Sequence, residues 1–259
     1  MKLKKISEIL DLKLKKEIAE SWDNVGLLVG DLNLEVKKVL LSLELTKSVF
    51  EMAKEQRVDL IITHHPAIFS GLKTVVSEND NLIFELIRNN IALYSAHTNF
   101  DAIEDGLNDY VVSLLEGKNL EIIKSESEHV GICRIFEFEE VSMTQFINKV
   151  KTKLNIDKLR FTGNLNGMVN KAAIVTGSGA DYSEMAFAKG AQVFITGDLK
   201  YHYALELKEK GLNIIDAGHF DTECVFPDAM KNFIENNILE FKDIEFVKST
   251  VDVNPFEYL

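Results

Sequence analysis

Four of the six histidines, His64, His65, His97 and His219, each occupy a polar turn directly after a short apolar run. Asp101 follows His97 by four residues, and Glu223 follows His219 by four. Adjacent histidines at the mouth of a strand project to different sides, and Pro66 stops that strand from continuing. Such a pair serves two metal ions more easily than one. On the first turn of a helix, an i, i+4 spacing puts His219 and Glu223 on one face. The bare N–H groups of the helix start favour the carboxylate's charge, and a carboxylate held there can bridge two cations. A lone histidine is more often a core or surface residue than a ligand. Four imidazoles and two carboxylates, all in turns after buried strands, are costly to bury without a ligand. His64, His65, Asp101, His219 and Glu223 therefore read as metal ligands. His97 stands open between a ligand and a residue that orients Asp101 or a substrate. His129 lies in a polar stretch and reads as a surface residue.

Three imidazoles and two carboxylates without a thiolate suit Zn, Fe, Mn, Ni or Co and do not choose among them. Five protein ligands shared by two ions leave open positions, as catalytic sites do. Two divalent cations about 3.5–4 Å apart acidify a shared water near neutral pH. The resulting net positive site, inside an acidic chain, draws anionic groups such as phosphates. That chemistry is hydrolytic attack on an electrophilic carbon or phosphorus.

Other motifs carry weaker signals. Asp198 and His202, four apart, are candidates for proton transfer or for orienting a ligand. The alternative for the pair is a helix N-cap at Asp198 and a packed helical imidazole at His202. In "WDNVGLLVG" (22–30), Gly26 and Gly30 read as turn residues and Trp22 as a packing residue, with Asp23 and Asn24 beside them. "TGSGAD" (176–181) resembles a phosphate loop after a strand, but lacks the P-loop lysine and the third glycine of GxGxxG.

The elements that must position these residues alternate along the chain. Strands are predicted at 38–45, 58–63, 91–96, 120–123, 130–138, 159–161, 172–176, 193–196, 212–216 and 244–247. Helices are predicted at 47–56, 82–89, 107–116, 144–153, 183–189, 201–210 and 227–236. This is the pattern of an α/β protein with mixed, mostly parallel sheets. The region 125–139, a polar stretch followed by a strand beginning near Gly131, marks the change from an N-terminal α/β part, 1–125, to a C-terminal α/β part, 126–259, whose last segment can return to the first. "DLIITHHP" (59–66) and "QVFITGDL" (192–199) echo each other, as do "YSAHTNFD" (94–101) and "IDAGHFDTE" (215–223). Two related α/β domains facing a central metal-containing cleft would account for both pairs.

The bulk numbers exclude several classes. The 259 residues carry 41 Asp+Glu against 29 Lys+Arg, a net charge of −12, which argues against a nucleic-acid partner. No apolar run approaches the roughly 20 residues of a membrane span. Residues 1–16 hold six lysines but place Leu3, Ile6, Leu10 and Leu14 at helical spacing, as in a packed amphipathic helix. The segment lacks the apolar centre of a targeting peptide. Cys133 and Cys224 stand far apart, so two free thiols in a reducing cytoplasm are expected.

"WDNVGLLVG" (22–30), "ITHHP" (62–66), "SAHTNFD" (95–101), "TGDLKYH" (196–202) and "DAGHFDTE" (216–223) occur in this order. Together they resemble the GTP cyclohydrolase I type 2 homologues, also called NIF-three-like dinuclear metal-centre proteins. The resemblance implies metal ligands at His64, His65, Asp101, His219 and Glu223. It also implies a two-domain α/β subunit and a homohexameric ring with the metal sites lining an internal cavity. Some members carry an inserted middle domain, for which this chain is too short. The implied activity is hydrolytic opening of a purine ring or attack on another anionic small molecule. The alternative is a non-catalytic metal-binding oligomer with a regulatory or interaction role.

Overall fold

The computed structural model describes residues 1–77, 81–123 and 131–257. The chain divides into two compact units, Met1–Phe100 with Phe226–Leu259, and Asp101–Val225. The expected boundary at 125/126 and His129 both lie outside the described residues.

The first unit opens with α1 (Leu3–Leu14), whose Leu3, Ile6, Leu10 and Leu14 are all buried, as their spacing predicts. Then follow β1 (Gly26–Val29), β2 (Lys38–Ser42), α2 (Lys47–Glu55), β3 (Leu60–Thr63), α3 (Leu82–Arg88), β4 (Ala92–Ser95) and the short α4 (Thr98–Ala102), within which the unit ends. The second unit holds α5 (Leu107–Leu114), β5 (Lys118–Ile123), β6 (Cys133–Ser142), α6 (Met143–Lys153), β7 (Arg160–Thr162), β8 (Met168–Ile174), α7 (Ser183–Ala188), β9 (Val193–Thr196), α8 (Tyr201–Glu209), β10 (Ile214–Asp216) and α9 (His219–Glu223). The chain then returns to the first unit as α10 (Phe226–Asn237) and β11 (Glu245–Lys248).

Local chemistry sets several of these boundaries. Thr46 caps α2, its hydroxyl accepting from the Val49 N–H at 3.2 Å. Ser142 and Gln145 form a reciprocal capping box at the start of α6. β3 and β9 are buried along their whole length, which explains their unbroken apolar runs.

In the first sheet the order is β1-β4-β3-β2-β11, with β4, β3, β2 and β11 parallel and β1 antiparallel on β4. In the second it is β5-β6-β8-β9-β10-β7. Only β8, β9 and β10 run parallel there, with β6 and β5 antiparallel on one flank and β7 antiparallel on the other. The α/β class with mixed sheets is as expected; the second sheet is less parallel than the pattern implies.

The two echoed segments acquire a structural meaning from this order. Each unit contains a helix (α1 or α6), an antiparallel edge strand (β1 or β7), three parallel strands joined by two helices, and a short helix after the third parallel strand (α4 or α9). β1 was absent from the strands predicted by periodicity. Its four residues sit inside the turn-rich motif at 22–30, too short to establish an alternation.

Candidate metal centre

β3 and β4 are parallel neighbours, with Thr63 opposite Ser95. Their C-terminal turns therefore lie side by side, and they carry His64, His65 and His97. Backbone and hydroxyl bonds lock the turns together: Ala96 N–H donates to Thr63 O at 2.9 Å, and Ser95 Oγ donates to His64 O at 2.8 Å. One ring nitrogen from each of His64, His65 and His97 falls within 4.8 Å of the others. The adjacent imidazoles thus converge rather than diverge, because the strand ends at Thr63 and alternation no longer governs them.

Each of these rings is anchored at Nδ1. His64 Nδ1 lies 2.8 Å from Ala96 O, His65 Nδ1 2.5 Å from Glu44 Oε1, and His97 Nδ1 2.9 Å from Asp23 Oδ1. A carbonyl or carboxylate only accepts, so Nδ1 carries the proton and Nε2 is the nitrogen each neutral ring presents. Burial works against the Asp23 carboxylate, yet hydrogen bonds from His97 and Thr98 outweigh it and hold its pKa at about 2. Asp23 is therefore a fixed anion behind His97.

The second unit supplies another such group. His219 and Glu223 lie on α9 with Nε2 and Oε2 3.0 Å apart, and Asp198 Oδ2 holds His219 Nδ1 at 2.7 Å. The hydrogen bond to Glu223, opposed by burial and aided by the charges of Glu223 and Asp198, raises the His219 pKa to about 9. This pair is built to surround positive charge. Asp198 is not a helix cap: it precedes α8, whose N-cap is Lys200, and takes φ +53°. His202 is exposed on α8 and edge-on to Tyr201 at 5.2 Å, so it is neither a packed imidazole nor a member of the His219 group.

Residues 176–181 pack on α9 rather than forming a phosphate cradle. Gly177 N–H donates to Thr222 Oγ1 and Gly179 N–H to Thr196 Oγ1, each at 2.9 Å, so two of the loop's donors are already engaged. Gly177 takes φ +64°, and a Cβ built there would stand 2.2 Å from Glu223 Oε1. Only glycine allows the loop to approach the carboxylate this closely.

Asp101 is buried in α4, and its carbonyl accepts from Asn108 Nδ2 at 3.1 Å. Asn108 Oδ1 in turn accepts from Thr176 N–H at 2.9 Å, tying α4 to the loop that abuts Glu223. Arg134, fully buried, donates to the carbonyls of Ala102 and Ile103 at 3.0 and 2.8 Å and pairs with Asp109. Glu44, Asn108 and Arg134 were not anticipated. The one available signal was for Glu44, an acidic residue just past a parallel strand's C-terminal end.

Imidazoles whose Nδ1–H is fixed by oxygen acceptors, with carboxylates beside them, form the donor set of a divalent transition-metal site. The residues present fit such an ion. A match to the family Duf34/NIF3 (NGG1p interacting factor 3) extends over residues 1–255. The chain belongs to this family. A Clostridium perfringens Duf34/NIF3 relative, named GTP cyclohydrolase 1 type 2 homolog, is 40% identical over 267 aligned positions covering 100% of both chains. The crystal structure of a Staphylococcus aureus hypothetical protein matches with a TM-score of 0.92 at 32% identity, covering 100% of this chain and 99% of that one. Reduced HcgD from Methanocaldococcus jannaschii matches with a TM-score of 0.80 at 30% identity, covering 97% and 98%. A Staphylococcus aureus relative, 28% identical with 100% of both chains covered, aligns over 367 positions against this chain's 259 residues.

Proposed function

We propose that this Duf34/NIF3 protein is a metal-dependent hydrolase acting on a purine nucleotide or another anionic small molecule. His64, His65, Asp101, His219 and Glu223 ligate two divalent ions, drawn from Zn, Fe, Mn, Ni and Co. The observation that carries this reading is the anchoring of His64, His65, His97 and His219 at Nδ1 by oxygen acceptors. Bound divalent cations supply Lewis-acid polarisation and an acidified water at neutral pH.

The chain's own residues supply the rest. Glu44, Asp23 and Asp198 keep a proton on Nδ1 of their imidazoles and fix ring orientation, which raises the basicity of Nε2. Asp198, exposed at the rim, is placed to pass a proton between His219 and solvent. The name printed for the Clostridium perfringens relative makes GTP the first substrate to assay.

The subunits form a homo-oligomer, a hexamer by family resemblance, with no nucleic-acid or membrane partner. No helix among the described residues is long and apolar enough to cross a membrane, and Cys133 is a buried free thiol, which suits a cytoplasmic setting. Light scattering before and after chelation tests the assembly: a mass near that of one subunit would contradict it. Metal-loaded protein incubated with GTP and a panel of phosphoesters tests the activity. Release of formate or phosphate supports the hydrolase; tight metal binding without turnover of any compound supports the non-catalytic alternative.

A further inference from the structure

Trp22 is the chain's single tryptophan, and it was expected to pack; instead it is 54% exposed. Beside it, 57% exposed, is Phe69, with ring centroids 5.7 Å apart and planes tilted by 35°. The indole also meets the His97 ring edge-on at 5.8 Å. Two large aromatic rings left half in water beside the His97 imidazole cost hydrophobic free energy unless something covers them.

The backbone on either side of this pair is anchored. Asp23, next to Trp22, takes the Nδ1–H of His97 at 2.9 Å and the Asn24 N–H at 2.7 Å. Asn24 Nδ2 donates to Ile68 O at 2.6 Å, which fixes the residue before Phe69. The tripeptide 22–24 thus links the His97 turn to the segment that carries Phe69. A rigid aromatic pair of this size presents a π-face suited to one planar ring. The neighbouring histidines stand where a charged tail of the same ligand would reach.

We infer that Trp22 and Phe69 form a stacking subsite for the planar heteroaromatic ring of a nucleobase-containing ligand. This inference rests on the proposed hydrolase and narrows its substrates from any anionic small molecule to those carrying a ring. Base-on-aromatic stacking tolerates any base, because every base has a π-face. The subsite therefore selects for a ring without choosing between purines.

Because Trp22 is the only indole, its fluorescence reports this site directly. The test uses the full chain, stripped of metal and zinc-loaded, titrated with guanosine, adenosine, GTP and ribose 5-phosphate. The expected result is saturable quenching by the three ring-bearing compounds and none by ribose 5-phosphate, in both metal states. Phe69→Leu, which keeps an apolar side chain but loses the π-face, is expected to weaken guanosine binding about tenfold, and Phe69→Tyr to restore it. Quenching by ribose 5-phosphate equal to that by guanosine would overturn the inference, and so would no quenching at all. A concentration-dependent shift of Trp22 emission without ligand, matched by a rise in mass, would also overturn it by making the pair a subunit contact. Stacking of the base needs neither a metal nor a reaction. Quenching without turnover would therefore leave the subsite standing and count against the hydrolase, and turnover without quenching would do the reverse.

Discussion

Asp198 Oδ2 stands 2.7 Å from His219 Nδ1, and Asp198 itself adopts a left-handed backbone at φ +53°. Asp and Asn tolerate that conformation better than other non-glycine residues. Strain is therefore accepted at Asp198 to aim a carboxylate at an imidazole.

Asp198→Asn is expected to keep most metal affinity, since an amide oxygen still accepts from Nδ1–H and asparagine accepts the backbone. Asp198→Ala loses the anchor and is expected to lower affinity about 10–100-fold. Competition with a chromophoric chelator measures both. Equal losses in the two variants would mean that the charge, not the hydrogen bond, matters.

Local pattern made the elements legible, and long-range pairing hid much of the site. The spacing of Leu3, Ile6, Leu10 and Leu14 reveals the buried face of α1, because a helix repeats its contacts every 3–4 residues. His219 and Glu223 are likewise legible, being four apart on one short helix. The Asp23–His97 bond joins residues 74 apart and depends on how β1 and β4 pair, which no local period records. Arg134 was invisible for the same reason: its partners come from the segments around α4 and α5. Trp22 was misread because tryptophan is usually well buried.

Gly177→Ala should act on the metal through Glu223. The new Cβ would sit 2.2 Å from Glu223 Oε1, and φ +64° adds about 1–2 kcal/mol of backbone strain. The expected outcome is a large loss of bound metal with a fall in Tm of several degrees. Gly167→Ala, where a Cβ meets nothing within 4 Å, is the control and should change neither. Full metal content in Gly177→Ala would show that the Glu223 carboxylate can move without consequence.

Arg134 is fully buried with its guanidinium spread over Asp109 and the carbonyls of Gly131, Ala102 and Ile103. Removing one partner of a buried ion pair costs about 3–5 kcal/mol, because the other charge stays behind. Arg134→Met should show that loss in urea unfolding. Arg134→Lys should not rescue it, since one ammonium cannot reach acceptors spread across a planar fork. Asp109→Leu combined with Arg134→Met should recover part of the stability. A single-variant loss below about 1 kcal/mol would show that the network is peripheral to the second unit.

Glu223→Gln should remove more metal than His97→Ala. Glu223 is buried with Oε2 3.0 Å from His219 Nε2 and Oε1 close against Gly177. Glutamine keeps the shape but replaces the anion with an amide, and a bridging carboxylate serves both ions at once. The His97 ring is held by Asp23 and lies within 4.8 Å, nitrogen to nitrogen, of His64 and His65. If it orients its neighbours without ligating, its removal lowers affinity only about 10–100-fold, and metal-saturated protein still carries two ions. Elemental analysis of both variants after reloading with zinc separates the cases. Near-zero metal in Glu223→Gln beside two ions per subunit in His97→Ala is the expected pattern. Equal depletion in the two would promote His97 to a ligand, and full occupancy in Glu223→Gln would end the bridging role.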